Sequence, residues 1–276
     1  MDEDQVLFAL QTPVRRFPGK AIEVAAADPS IGIAVARRVL QGQLESIRAG
    51  AQARPIEGTA YFDPADHFGA VHATFLVAFH RAQEAMEELN AIVHLSDRQM
   101  DALYGDTTHV TLPDAIDFVP DDETILRWCE ERLAPDAEAV VHDAVLRRVG
   151  RGTFAREDAL ALFHRALRRW VDDTSKDAAS GRQLTSLAYA GICRPDEVEP
   201  LRRLLESDGV DPDGTLTAEV VDAIGQSEPD LSVPRDEPIH PREVERMGIY
   251  AWQAIPKVAK KKKPQRKKPK RKKKRK

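Results

Sequence analysis

Apolar positions recur along most of this chain with the 3.6-residue period of amphipathic helices, and proline, glycine and aspartate punctuate the periodic stretches. Val6-Leu7-Phe8-Ala9-Leu10 fits a short helix or strand, and Pro13 and Pro18 interrupt the chain beyond it. Asp28-Pro29-Ser30 reads as a helix start, with Val35, Val39, Leu44 and Ile47 on one face and Gly50 as the stop. Residues 51–62 read as irregular, with a short extended piece at Thr59-Ala60-Tyr61-Phe62. The most regular pattern opens at Asp63-Pro64, an N-cap followed by proline at the first helical position. Phe68, Phe75, Ala82 and Leu89 then repeat every seven residues, and Val71, Ala78, Ala85 and Ile92 come three residues after each. Phe79, Met86 and Val93 widen the stripe, which suits a helix buried in a bundle. The pattern predicts one helix over about residues 64–95, roughly 45 Å long, which needs at least two comparable neighbours.

Residues 105–120, with Gly105, Pro113, Pro120 and a Thr-rich run, read as a connection between two helical lobes. Shorter helices come next. Asp121-Asp122 caps one carrying Ile125, Cys129 and Leu133, and Pro135 opens another that ends near Gly150. Thr153 is the expected cap of a third, bearing Leu160, Phe163, Leu167 and Trp170. A helix over about 182–190, one starting at Pro195 and one capped by Thr217 complete the set. The predicted fold is mainly α: a helical-bundle body, as one unit or as two lobes. The divisions are 1–112 and 113–225 for the lobes, 226–256 for an extended Pro-rich linker, and 257–276 for a disordered Lys-rich tail. Within the linker Met247, Ile249, Tyr250, Trp252 and Ile255 form an apolar patch. It reads as a cap folding back on the body, or, at Tyr250 and Trp252, as a partner-binding or stacking motif.

Composition narrows the class. No apolar run approaches the roughly 18 residues of a membrane span. The acidic start Met1-Asp2-Glu3-Asp4 is unlike a signal peptide, so a cytoplasmic protein is expected. Two cysteines, Cys129 and Cys193, exclude a disulfide framework. The net charge of −4 conceals a division. Fifteen of the 41 Lys and Arg lie in residues 257–276, so residues 1–256 carry 26 against all 45 Asp and Glu, a formal charge of −19. The body holds 24 Arg and only Lys20 and Lys176, whereas the tail has twelve Lys and three Arg. Residue choice in the tail therefore escapes the bias acting on the rest.

The cations are Lys257, Lys260, Lys261, Lys262, Lys263, Arg266, Lys267, Lys268, Lys270, Arg271, Lys272, Lys273, Lys274, Arg275 and Lys276, punctuated by Pro264 and Pro269. Such a segment cannot bury surface to offset its ordering entropy and is expected to be disordered when free. Ammonium groups on flexible stems neutralise phosphates without reading bases. In composition the tail resembles the lysine-rich, proline-punctuated tails of linker-histone-like and some bacterial DNA-binding proteins, which implies sequence-independent DNA binding. Nucleic acid, DNA or RNA, is the expected partner of the tail, and an unidentified protein or a second copy that of the body. The expected location is then the nucleoid in a bacterium or the nucleus in a eukaryote. The competing targets are an acidic protein, an anionic membrane surface and the protein's own acidic body.

Motifs for chemistry are sparse. His80 and Glu84, with workable metal-ligand spacing on the long helix, are the strongest candidates for a metal pair. A solvated i,i+4 pair is the ordinary reading, so neither metal nor cofactor is expected. Residues 208–217 resemble a calcium loop but place Gly209 and Val220 where acidic ligands belong, and read as a turn. No Gly-rich phosphate loop, nucleophile elbow or His-Glu-x-x-His occurs. His142-Asp143 and His164 are a loose catalytic possibility. A helix-turn-helix between 121 and 225 is disfavoured because its arginines are interleaved with acids. The expected function is non-enzymatic: a helical body for protein interaction, tethered by its tail. A helical enzyme acting on nucleic acid or another acidic substrate is the alternative.

Overall fold

The computed structural model describes residues 1–12, 17–55, 62–64, 68–173, 175, 177–206 and 235–246. The helix expected after Thr217, the loop at 208–217, Tyr250, Trp252 and every tail cation from Lys257 to Lys276 lie outside the described residues. The chain is mainly α-helical. The α-helices among the described residues are α1 (Glu3–Gln11), α2 (Gly19–Ala27), α3 (Pro29–Arg48), α4 (Gly69–Phe79), α5 (Met86–Val93), α6 (Asp97–Tyr104), α7 (Thr108–Phe118), α8 (Asp122–Glu130), α9 (Pro135–Gly150), α10 (Arg156–Val171), α11 (Ala178–Ala190) and α12 (Val198–Glu206). Among the described residues no helix is long and apolar enough to cross a membrane.

Several starts arise from local chemistry. The Asp28 carboxylate accepts from the backbone N–H of Ser30 and Ile31 ahead of α3, and that of Asp121 accepts from Thr124 N ahead of α8. Pro135 occupies the first turn of α9, where its missing N–H costs nothing. The helices pack in succession. α1 and α2 lie against α3, α3 against α4, α4 against α7, α7 against α9, and α9 against α11, with α8 and α10 completing that end. Buried side chains from Val6 to Val244 form one contiguous apolar core. α4 is its centre: every residue from Gly69 to Ala78 is buried, including Thr74, whose hydroxyl lies 2.9 Å from the Tyr104 hydroxyl. Fully buried Phe75 alone contributes about 2–3 kcal/mol by transfer from water.

The single helix expected over 64–95 is two. α4 ends at Phe79, and a 3-10 turn (Gln83–Ala85) leads into α5. The heptad survives, since Ala82, Ala85, Leu89 and Ile92 are all buried, but the backbone between turns aside. Three tertiary contacts hold the break. A ring nitrogen of His80 lies 2.9 Å from Ala25 O, Gln83 Nε2 donates to Val119 O, and Arg81 adopts φ 50° while its guanidinium covers the Phe118 ring. Asp63 is not a helix cap. It pairs with Arg54 in a two-residue antiparallel ladder, Arg54–Pro55 against Phe62–Asp63, and α4 opens at Gly69.

Residues 105–120 are likewise not a connection. Gly105–Thr107 is a 3-10 turn that runs into the buried α7, with Pro113 inside it, so a division at 112/113 falls within this helix. The Thr-rich run can be buried because its hydroxyls bond locally: Thr107 Oγ1 to Tyr104 O at 2.7 Å, and Thr111 Oγ1 to Thr107 Oγ1 at 3.3 Å. Thr153 does not cap α10. Its hydroxyl donates to Arg148 O at the end of α9, and Ala155 stands at the N-cap. Part of the supposed extended linker is also structured, since residues 235–246 lie packed on the body with Ile239, Pro241 and Val244 buried.

Candidate functional site

The packed segment 235–246, hereafter the strap, has a receptor built from charged side chains. α7 and α9 face each other with Asp114 and Asp117, one turn apart, on one helix and Arg147, Arg148 and Arg151 on the other, Arg151 standing one turn from each of the first two. Asp114 and Asp117 are each only 3% exposed. Arg147 Nη1 donates to Asp114 Oδ1 at 2.9 Å, and both terminal nitrogens of Arg151 donate to Asp117. Arg148 is turned inward, donating to the carbonyls of Asp117 (2.7 Å) and Pro120 (2.8 Å) and to the Asp122 carboxylate.

The other oxygen of Asp114, Oδ2, accepts the backbone N–H of Ile239 in the strap at 2.8 Å. Arg151 Nη1 donates to Arg235 O at 3.2 Å, and Arg81 Nη2 to Asp236 O at 3.3 Å. These same guanidiniums stand 5.1 and 5.3 Å from the centre of the Phe118 ring, so Phe118 fixes both. The His240 ring meets Phe79 edge-on at 4.8 Å, and Arg242 pairs with Glu23 of α2 at 2.6 Å. The strap thus crosses α2, the end of α4, α7 and α9, and its last described residue, Arg246, is separated from the first tail lysine by ten residues.

A polar groove of about 630 Å3 opens between α5 and α8. Glu87, Asp121 and Glu131 line it against one guanidinium, Arg127. His94 is fully engaged there, with Nε2 2.8 Å from Glu131 Oε2 and Nδ1 2.6 Å from Asn90 O. Asn90 Oδ1 in turn accepts from Trp128 Nε1 at 3.0 Å. Three carboxylates around one cation suit a cationic group and repel phosphate.

A third cluster is enclosed. Glu138 Oε2 accepts from Trp170 Nε1 at 2.9 Å, and Oε1 accepts from Arg169 Nη2 at 3.4 Å and lies 3.6 Å from His142 Nε2. Neither ring nitrogen of His142 makes a hydrogen bond, and the ring packs edge-on to Phe163. Burial pushes the Glu138 carboxyl up to about 7, against the pull of Arg169 and Trp170, and pushes His142 down to about 3. The pair tends to neutrality, with both side chains buried.

His80 and Glu84 do not form a pair on one helix face. His80 is turned inward against Gly32 and the Ala25 carbonyl, whereas exposed Glu84 sits in the 3-10 turn beyond the break. Among the described residues no group of three or more His, Cys, Asp or Glu could hold a metal ion. His142, Asp143 and His164 have separate partners: Glu138, Arg147 (2.8 Å) and the Tyr189 ring (6.3 Å). Sequence reasoning misses the strap receptor, although Asp114-x-x-Asp117 opposite Arg147-Arg148-x-x-Arg151 is a pattern of complementary helix faces that could have indicated a charged interface. Comparison with family models, curated proteins and solved structures gives no match.

Proposed function

We propose that this protein is a non-enzymatic tether: a helical body that engages a protein partner or a second copy, with a polybasic tail that grips nucleic acid without reading its sequence. One observation carries the reading, the segregation of fifteen cations and no acid in residues 257–276 from a body of formal charge −19. Each phosphate neutralised by a lysine or arginine releases condensed counterion, which drives binding and makes it salt-dependent. The body repels phosphate, so binding is confined to the tail. The charge of the α5–α8 groove supports this assignment over a helical enzyme acting on nucleic acid, because its three carboxylates oppose entry of a polyanion. The tether would work in the cytoplasm, on a bacterial nucleoid, or in a eukaryotic nucleus.

The test is a titration of a labelled random-sequence duplex with the full chain and with residues 1–256 across a range of salt. The full chain is expected to bind with a log–log salt slope near −9 if about ten side chains engage. Residues 1–256 should not bind. Equal binding by both chains would overturn the proposal.

A further inference from the structure

We infer that the strap is a releasable latch, which while docked holds the tail beside the acidic body and weakens its grip on nucleic acid. The latch presupposes that the tail binds nucleic acid and adds how that binding is regulated.

The receptor recognises the strap largely through its backbone. A buried carboxylate takes the Ile239 N–H, and two guanidiniums braced on one phenyl ring take the carbonyls of Arg235 and Asp236. Against these bonds, twelve residues are ordered while only Ile239, Pro241 and Val244 bury their side chains. Ordering entropy accrues with every residue and apolar stabilisation with only three, so docking is close to balanced. A segment held this way can leave without unfolding the helices beneath it.

Its position gives release a consequence. With the strap seated, ten residues separate Arg246 from Lys257, so the first lysine stays within about 40 Å of the strap's end. With the strap released, the last described helix before the tail is α12, and fifty residues separate Glu206 from Lys257, a contour length of at most about 180 Å. The carboxylates of the body and the phosphates of nucleic acid compete for the same ammonium groups. At physiological ionic strength that competition acts only over about 8 Å, so it depends on how closely the tail is kept to the body. Effective concentration falls roughly as the −3/2 power of tether length, which sets a ceiling of about tenfold on the effect of release.

The experiment uses the full chain carrying Ile239→Ser and Val244→Ser, which remove two apolar anchors without changing charge. Tryptic cleavage after Arg242 reports release, and binding of the labelled random-sequence duplex reports function. The latch predicts faster cleavage and, at about 50 mM salt, binding tighter by about three- to tenfold, with the gain shrinking at about 200 mM as screening removes the competition. Faster cleavage with unchanged affinity overturns the latch and leaves the tail's function standing. Absence of binding by both proteins overturns the tail's function and the latch with it. Asp114→Ala challenges the strap from the body's side, and a strap that stays protected in both variants is a fixed part of the fold, which also overturns the latch.

Discussion

Glu138 and His142 stand one helical turn apart inside the protein, and burial moves them in opposite directions. Glu138, raised from its ordinary 4.5 to about 7, holds its proton more tightly when folded. The stability it contributes is complete below pH 4.5 and is lost as pH rises through 7. His142, lowered from 6.5 to about 3, holds its proton less tightly when folded. Its contribution is complete above pH 6.5 and is lost as pH falls toward 3. Between 4.5 and 6.5 the two trends oppose each other. Glu138→Gln keeps an acceptor for Trp170 and abolishes the first trend. Measured by urea unfolding, the stability of the variant relative to the parent should climb between pH 4.5 and 7, by up to about 3 kcal/mol at about 1.4 kcal/mol per unit. A difference that stays flat with pH would show that Glu138 titrates as an ordinary carboxyl. None of this is visible in the sequence, where His142-Asp143 stands out and Glu138 is one acid among 45. Which helix face turns inward decides such matters, and that is set by packing against Phe163 and Trp170 from another helix.

Elements with their own backbone chemistry are legible. Asp28, Asp121 and Pro135 each satisfy or spare an orphan amide at a helix start, and α3, α8 and α9 begin beside those residues. The long helix is not legible, because a seven-residue repeat is the same whether the backbone runs straight or is broken between turns. The break is held by distant partners, the carbonyls of Ala25 and Val119 and the ring of Phe118. α7 misleads for the opposite reason: Pro113 and the Thr run usually punctuate a chain, yet here the hydroxyls are satisfied locally and the segment is buried. Arg81 marks the strained point of the break. A left-handed conformation costs a residue bearing a Cβ about 1–2 kcal/mol, which glycine avoids. Arg81→Ala and Arg81→Gly both lose the guanidinium, so their difference isolates the backbone. The glycine variant should be the more stable by about 1 kcal/mol in denaturant unfolding, net of its greater unfolded-state freedom. Equal stabilities would show that the turn is unstrained.

Across the whole molecule the dominant feature is the segregation of negative charge in the body from positive charge in the tail. Asp97, Asp101, Asp106 and Asp136 gather around α6, and burial together with these neighbours pushes the Asp101 carboxyl up to about 6. Without residues 257–276 the body must sustain its formal charge of −19 alone. Its unfolding midpoint should rise with added salt up to about 0.15 M, where screening reaches about 8 Å, and should rise more steeply than that of the full chain. Parallel salt dependences would mean that the tail does not relieve the body's field. The charge division is legible because composition alone reveals it. The strap is not: residues 235–246 are charged and proline-containing like any linker, and the groups that seat it lie 84 residues away at Arg151, 125 at Asp114 and 155 at Arg81.

The enclosure of α4 bears on how this protein can vary. A surface helix such as α10 alternates buried Phe163, Leu167 and Trp170 with exposed Arg165 and Arg168, and substitutions at its exposed positions cost little. From Gly69 to Ala78 there is no such outward face. In a comprehensive library of single substitutions, tolerance along α10 would rise and fall with the helical turn, whereas α4 would show an unbroken block of ten intolerant positions. Drift in this molecule is therefore channelled to its periphery, and the oldest shared residues in any lineage of such chains should be found along that one segment.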